Sequence, residues 1–252
     1  GPHYPLGELI FFRCFFALVP VLVIAALRRD IGAVVRTRRP KVHILRSFFG
    51  ISAMFLSFYA LLWLPLADWT AISFGMPIFG VVFASVWLRE HVGPWRWGAV
   101  IAGFAGIGVM VGPHLTLSAE GMAGIGALVM LASTLFSAAT IVTIREISQT
   151  ENSLAIVFYF MAACSVASAL TLPVAFIVPG WGDLGLLVLS GLLGGLGQFC
   201  NTVSYRFAAP SLLAPFDYVA MIWAVALGIL LFSEFPEVYV LAGAALVIAA
   251  GL

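Results

Sequence analysis

Nine long apolar runs separated by short breaks make up most of the 252 residues. They lie at roughly 5–27, 43–64, 66–88, 95–113, 121–144, 153–177, 184–207, 210–232 and 237–252. A helix crosses the hydrocarbon of a bilayer in about 20 mostly apolar residues, and the runs cluster near that length. The breaks carry Pro, Gly or charge: Arg28 to Lys41, Pro65, "REHVGP", "GPHLTLSAE", "REISQTEN", "PGWGD", "AAPS" and "SEFPE". A membrane β-barrel would show short alternating segments, and these runs are continuous. Many are rich in Gly, Ala and Ser, as in "GLLGGLGQ" at 191–198, and small residues let helices pack closely in lipid. The pattern predicts an all-α membrane protein, a polytopic helical bundle without a separate soluble domain.

Composition agrees. The chain is 63% apolar and 9% charged, with a mean hydropathy of +1.12. A soluble domain is about 25% charged, so lipid must be the solvent for most of this surface. Cys14, Cys164 and Cys200 all sit in apolar stretches. Their odd number and spacing suit buried packing residues and neither a disulfide framework nor a zinc site.

Charge placement sets an orientation. The stretch "LRRDIGAVVRTRRPKVHILR" at 27–46 holds Arg28, Arg29, Arg36, Arg38, Arg39, Lys41 and Arg46, seven of the twelve Lys and Arg residues. With that loop in the cytoplasm, Arg89, Arg96, Arg145 and Arg206 also fall inside. Only Arg13, within the first span, is left over, in keeping with the positive-inside rule. The basic loop reads as a topology anchor rather than a nucleic-acid patch. Residue 1 is then outside and the C-terminus cytoplasmic.

The two halves repeat. "GAVIAGFAGI" (98–107) matches "GAALVIAAGL" (243–252), Glu90 matches Glu234, Tyr59 matches Tyr205 and Pro65 matches Pro210, all at offsets of 144–146. At that offset the 121–144 span has its counterpart before residue 1. The expectation is two five-helix repeats, 1–113 (lacking its first helix) and 121–252. Nine helices then lie in this chain, with the first missing upstream. An odd number of helices per repeat makes the repeats inverted, a construction of secondary transporters. Gly1 and Pro2 read as a possible cleavage-site scar and carry no weight.

The stretch "GELIFFRCFFALVPVLVIAAL" at 7–27, the "FYA" at 58–60 and the "E…G…G" ends of each half resemble the drug/metabolite transporter superfamily, EamA type. The resemblance spans the whole chain. It implies ten helices in two inverted five-helix repeats, both termini cytoplasmic, and export of amino acids and other small metabolites. The amino-acid exporters of the YddG type look nearest.

Ionisable groups within spans mark candidate chemistry. Asp217 reads as a cation-binding or proton-carrying carboxylate, or as one solvated from the cytoplasmic mouth. Arg13 reads as a clamp for a substrate carboxylate, or as a structural partner of Glu8 or of backbone carbonyls. Glu8 lies near the outer edge, within reach of water. Their mates in the other half, Ser73 for Asp217 and Phe158 for Arg13, carry no charge. Gln198, Asn201, Ser204 and Tyr205 form a polar stripe that either lines a cavity or joins helices. Tyr59 and Trp63 suit an aromatic wall, and Tyr159 joins the cavity candidates. Trp63, Trp69, Trp181, Trp95 and Trp97 fall near the interfaces, as an aromatic belt does. Pro77, Pro173 and Pro215 lie within spans, and Pro77 with Pro215 reads as a gating pair. His3, His43, His91 and His114 share no ligand spacing, so neither a metal nor another cofactor is expected. No Walker A, GxSxG or HExxH sequence occurs.

The expected function is a non-enzymatic, secondary-active or facilitative transporter in a bacterial inner membrane. It exports a small metabolite, foremost an aromatic or neutral amino acid, by alternating access. Protons are a possible partner and the lipid bilayer a necessary one; nucleic acid is not expected. A broad drug or nucleobase/nucleoside exporter is the alternative, and an intramembrane lipid-modifying enzyme the rival from another class.

Overall fold

The computed structural model describes residues 4–73, 75–87 and 122–208, most positions from 93 to 109, and isolated positions between 213 and 242. Among the described residues all regular structure is helical. In chain order the elements are α1 (Leu6–Leu27), the short α2 (Gly32–Val35), α3 (Pro40–Ala60), α4 (Leu66–Ser73), α5 (Gly75–Trp87), α6 (Met122–Ser148), α7 (Ser153–Ala169) and α8 (Trp181–Phe207). Among the described residues four helices are long and apolar enough to span a bilayer: Leu6–Leu27, Pro40–Ala60, Gly124–Ser148 and Trp181–Phe207. The protein is an all-α membrane bundle.

Contacts divide it into two compact units, residues 1–55 with 143–208 and residues 56–142 with 209–252. Each draws on both halves of the sequence, and α3 and α6 contribute to both. In the second unit Ala60, Leu64, Ile72, Ile78, Val100, Ala127 and Met130 form the core. Trp69 Nε1 donates to the Ser57 carbonyl there at 2.9 Å.

The first unit is built on the close approach of α1 and α8. A Cβ at Gly191 would lie 2.5 Å from Phe16 Cβ and 3.0 Å from the carbonyls of Phe12 and Arg13. A Cβ at Gly195 would meet the Ala17 backbone and sit 2.7 Å from Pro20 Cγ. Glycine there lets the helices touch backbone to side chain, the use expected of small residues in lipid. Leu186, Leu189, Leu193 and Leu196 are exposed at helical spacing along α8, as a lipid-facing stripe should be.

Three expectations need correction. The apolar run at 153–177 is not one helix: α7 ends at Ala169, and non-helical backbone follows. Pro173 lacks an N–H and disfavours helix at the residue before it, so it lies beyond the helix and not within a span. Glu8 does not reach water; it is fully buried, and its Oε2 accepts from the Ile177 N–H at 3.0 Å, serving that non-helical segment. Cys200 is exposed, whereas Cys14 and Cys164 are buried as expected. The spans at 210–232 and 237–252 lie almost wholly outside the described residues.

Candidate functional site

The basic loop is tied down rather than loose. The Arg38 N–H donates to Glu151 Oε1 at 2.8 Å, and Arg39 pairs with Glu146 at 2.6 Å. Arg145 donates to the Tyr205 and Arg206 carbonyls at 2.8 and 3.3 Å. A cation there satisfies the last carbonyls of α8 and opposes its dipole.

Arg46 behaves differently. It belongs to the basic stretch but is 1% exposed. Its Cζ lies 3.8 Å from the centroid of the Phe160 ring on α7. Between them is Gly50, one turn along α3, where a Cβ would lie 2.6 Å from Phe160 Cε2 and press on Arg46 Nη1. Glycine therefore makes the room in which the guanidinium stacks on the ring. Nε, Nη1 and Nη2 are all buried with no hydrogen-bond partner among the described residues.

Beside it, His43 is buried, its ring 4.8 Å from that of Tyr159 and its Nε2 3.9 Å from Glu151 Oε2. Tyr159 donates its hydroxyl to the Val35 carbonyl at 2.8 Å. This group is thus pinned by α2 and α7, while the Arg46 cation has no hydrogen-bond partner among the described residues. A buried unpaired charge costs several kcal/mol even after relaxation. Stacking on an aromatic face returns about 2 kcal/mol when desolvated. The ring alone does not cover the cost, and a planar, bidentate oxygen acceptor is the partner whose shape matches a guanidinium fork.

The sequence-derived candidates are dispersed. Tyr159 lies in the Arg46 group. Arg13 Nη1 is 3.4 Å from Ser190 Oγ, and its guanidinium runs past Gly194 on α8. Gln198 is half-buried, Asn201 exposed and Tyr205 buried; Ser204 Oγ donates back to the Asn201 carbonyl at 2.8 Å. Tyr59 and Trp63 do form an aromatic pair in the second unit, edge to face with centroids 6.3 Å apart. Trp63 follows the end of α3, in a turn. Ser73 closes α4, its hydroxyl donating to the Thr70 carbonyl at 2.5 Å. Pro77 lies within α5. Asp217 and Pro215 lie outside the described residues. Arg46, His43 and Glu151 were missed as site residues. Arg46 is inside the predicted 43–64 span, and that depth was the signal available.

A family model, the EamA-like transporter family, matches residues 2–112 and 124–252. The chain belongs to this family. It is 27% identical over 247 residues to the pseudopaline exporter CntI of Pseudomonas aeruginosa strain UCBPP-PA14, covering 98% of this chain and 84% of that one. It is 29% identical over 251 residues to an S-adenosylmethionine uptake transporter of Rickettsia felis (97% and 81% covered). It is also 29% identical over 255 residues to a riboflavin transporter of Rhizobium johnstonii (99% and 80%). A solved crystal structure of a protein aligns with all of this chain and 88% of its own, with a TM-score of 0.74 and 18% identity, a likeness of fold.

Proposed function

We propose that this EamA-family member carries a small metabolite bearing a carboxylate, an amino acid or a molecule with an amino-acid head, across a bacterial inner membrane by alternating access. The observation that carries the reading is Arg46: a buried guanidinium, one face on Phe160, its nitrogens without hydrogen-bond partners among the described residues. A carboxylate is the planar acceptor that such a fork takes. The relatives support the class of cargo in part, since S-adenosylmethionine ends in an amino-acid group.

The rest of the assignment belongs to the same proposal. Arg13 and Asp217 serve the charged ends of the cargo or a coupled proton. Tyr59, Trp63 and Tyr159 serve its apolar body. Ser73, Gln198, Asn201 and Tyr205 line its route, and Pro77 and Pro215 act as gates. The repeats run 1–113 and 121–252, with the basic loop and the C-terminus cytoplasmic and export as the direction.

The test is flux in proteoliposomes with a labelled panel of neutral and aromatic amino acids, S-adenosylmethionine, riboflavin and a nucleobase. Wild type is compared with Arg46→Gln and Asp217→Asn at two pH values. Saturable flux of a carboxylate-bearing solute, lost in Arg46→Gln, is expected. Flux only of solutes without a carboxylate, or undiminished flux in folded Arg46→Gln, sinks the reading.

A further inference from the structure

Three sulfur atoms converge in the first unit. On α3, Arg46, Gly50 and Met54 follow one another at four-residue spacing, and on α7 Phe160 is followed by Cys164 at the same spacing. Residues four apart share a helix face, so the two stripes that hold the cation continue into sulfur. Cys14 arrives from α1. Its Sγ lies 3.5 Å from Met54 Sδ, and Cys164 Sγ lies 3.6 Å from the same atom. Met54 Sδ is thus the atom that both thiols approach. Both cysteines are fully buried.

We propose that Cys14, Met54 and Cys164 form a binding site for one soft monovalent metal ion, Cu(I), held by two thiolates and a thioether. Among the described residues no group of three His, Cys, Asp or Glu could hold a metal. This triad stands apart because its third donor is a thioether. Thiolate and thioether together select Cu(I), whereas zinc takes four ligands from Cys, His and carboxylates, and magnesium and calcium take oxygens. Metal–sulfur bonds of about 2.3 Å in a trigonal plane put the sulfurs about 4.0 Å apart. The two thiol–thioether separations of 3.5 and 3.6 Å therefore need to open by only about 0.4–0.5 Å, which the flexible Met54 side chain allows. Two thiol protons leave as the ion enters, and no electron is transferred. The complex carries one negative charge, offset by the Arg46 guanidinium, which reaches the level of Gly50, one turn from Met54. The inference stands on the sulfur geometry and does not depend on what the protein carries.

The test is anaerobic transfer of Cu(I) from its bicinchoninate complex, with ascorbate present, to the full chain in detergent. The background is Cys200→Ser, which removes the exposed thiol. One equivalent of copper is expected to transfer, with uptake lost in Cys14→Ser and Cys164→Ser and affinity at least tenfold lower in Met54→Leu. No transfer to the reduced Cys200→Ser protein overturns the proposal, as does transfer indifferent to all three substitutions. Copper K-edge absorption of the loaded Cys200→Ser protein needs no change within the site. Three sulfur neighbours at about 2.3 Å are expected, and a nitrogen or oxygen shell overturns the assignment.

Discussion

Arg46→Met is expected to stabilise the protein and to abolish carriage of carboxylate solutes. The guanidinium gives up its hydration on burial, at several kcal/mol. Stacking on Phe160 at 3.8 Å returns about 2 kcal/mol. No hydrogen bond among the described residues makes up the rest. Methionine is unbranched and adaptable and can lie along the same groove beside Gly50. Replacing buried ions by apolar side chains of similar size is neutral or stabilising by up to about 4 kcal/mol. The ring contact forgone trims the expected gain to at most about 2 kcal/mol. Thermal unfolding in detergent, followed by tryptophan fluorescence, reads it at about 2–4 °C per kcal/mol for a chain of this size. Flux in proteoliposomes reads the other half of the prediction. A loss of about 2 kcal/mol or more in Arg46→Met would refute the reasoning, because such a loss is the mark of a cation whose partner has been left unpaired. Unchanged flux would refute the role in substrate binding independently. Arg46→Lys separates charge from shape: it keeps the cation and gives up the planar fork, so weaker substrate affinity is expected.

Gly191→Ala should destabilise by about 1–3 kcal/mol, as overpacking does, since its Cβ would lie 2.5 Å from Phe16 Cβ. Gly185→Ala on the same helix meets open space and should be neutral or stabilising by up to about 1 kcal/mol in the same unfolding assay. Asn152 caps α7, its side chain accepting from the Leu154 N–H at 3.0 Å; Asn152→Ala should cost about 1 kcal/mol and Asn152→Asp almost nothing. The Tyr4 hydroxyl donates to Asp183 at 2.6 Å, and that bond, helped by desolvation, holds the phenol above its usual 10.0. A raised folded pKa means the contribution is complete below the unfolded value and lost as pH rises through the folded one. Tyr4→Phe should therefore remove a late step from the ultraviolet tyrosinate titration.

The spans were legible because the thickness of hydrocarbon fixes the length of an apolar helix. Thus 5–27 in the sequence is Leu6–Leu27 in the structure, and 184–207 is Trp181–Phe207. Hydropathy failed where an apolar run is not helical. "TLPVAFIV" at 171–178 is as oily as the helix before it. Pro173 stops the helix, and a buried carboxylate 169 residues away supplies an acceptor for the backbone. No local pattern could place Glu8 there. The glycine run at 191–198 was readable as a contact surface, but its partner, the Arg13 to Pro20 stretch of α1, required the fold.

Arg46 was hidden by a sound rule applied one step too far. Counting charge by segment orients helices, and Arg46 adds to the count whether it faces water or not. Only packing separates it from Arg38 and Arg39, whose backbone and side chain are tied to acids at the ends of α6 and α7. The spacing Arg46, Gly50, Met54 was in the sequence, yet it has meaning only against Phe160 and Cys164 on another helix. Gly50 is where the two proposed sites meet. A methyl group there would press on both Phe160 and the guanidinium, shifting the cation and the α7 stripe that also presents Cys164. A substitution at 46 reaches the cation while leaving the three sulfurs in place, and one at 14 reaches a sulfur while leaving the cation on its ring. A substitution at 14 therefore separates the two readings, one at 46 also removes the charge that offsets the copper complex, and Gly50→Ala is expected to disturb the geometry of both.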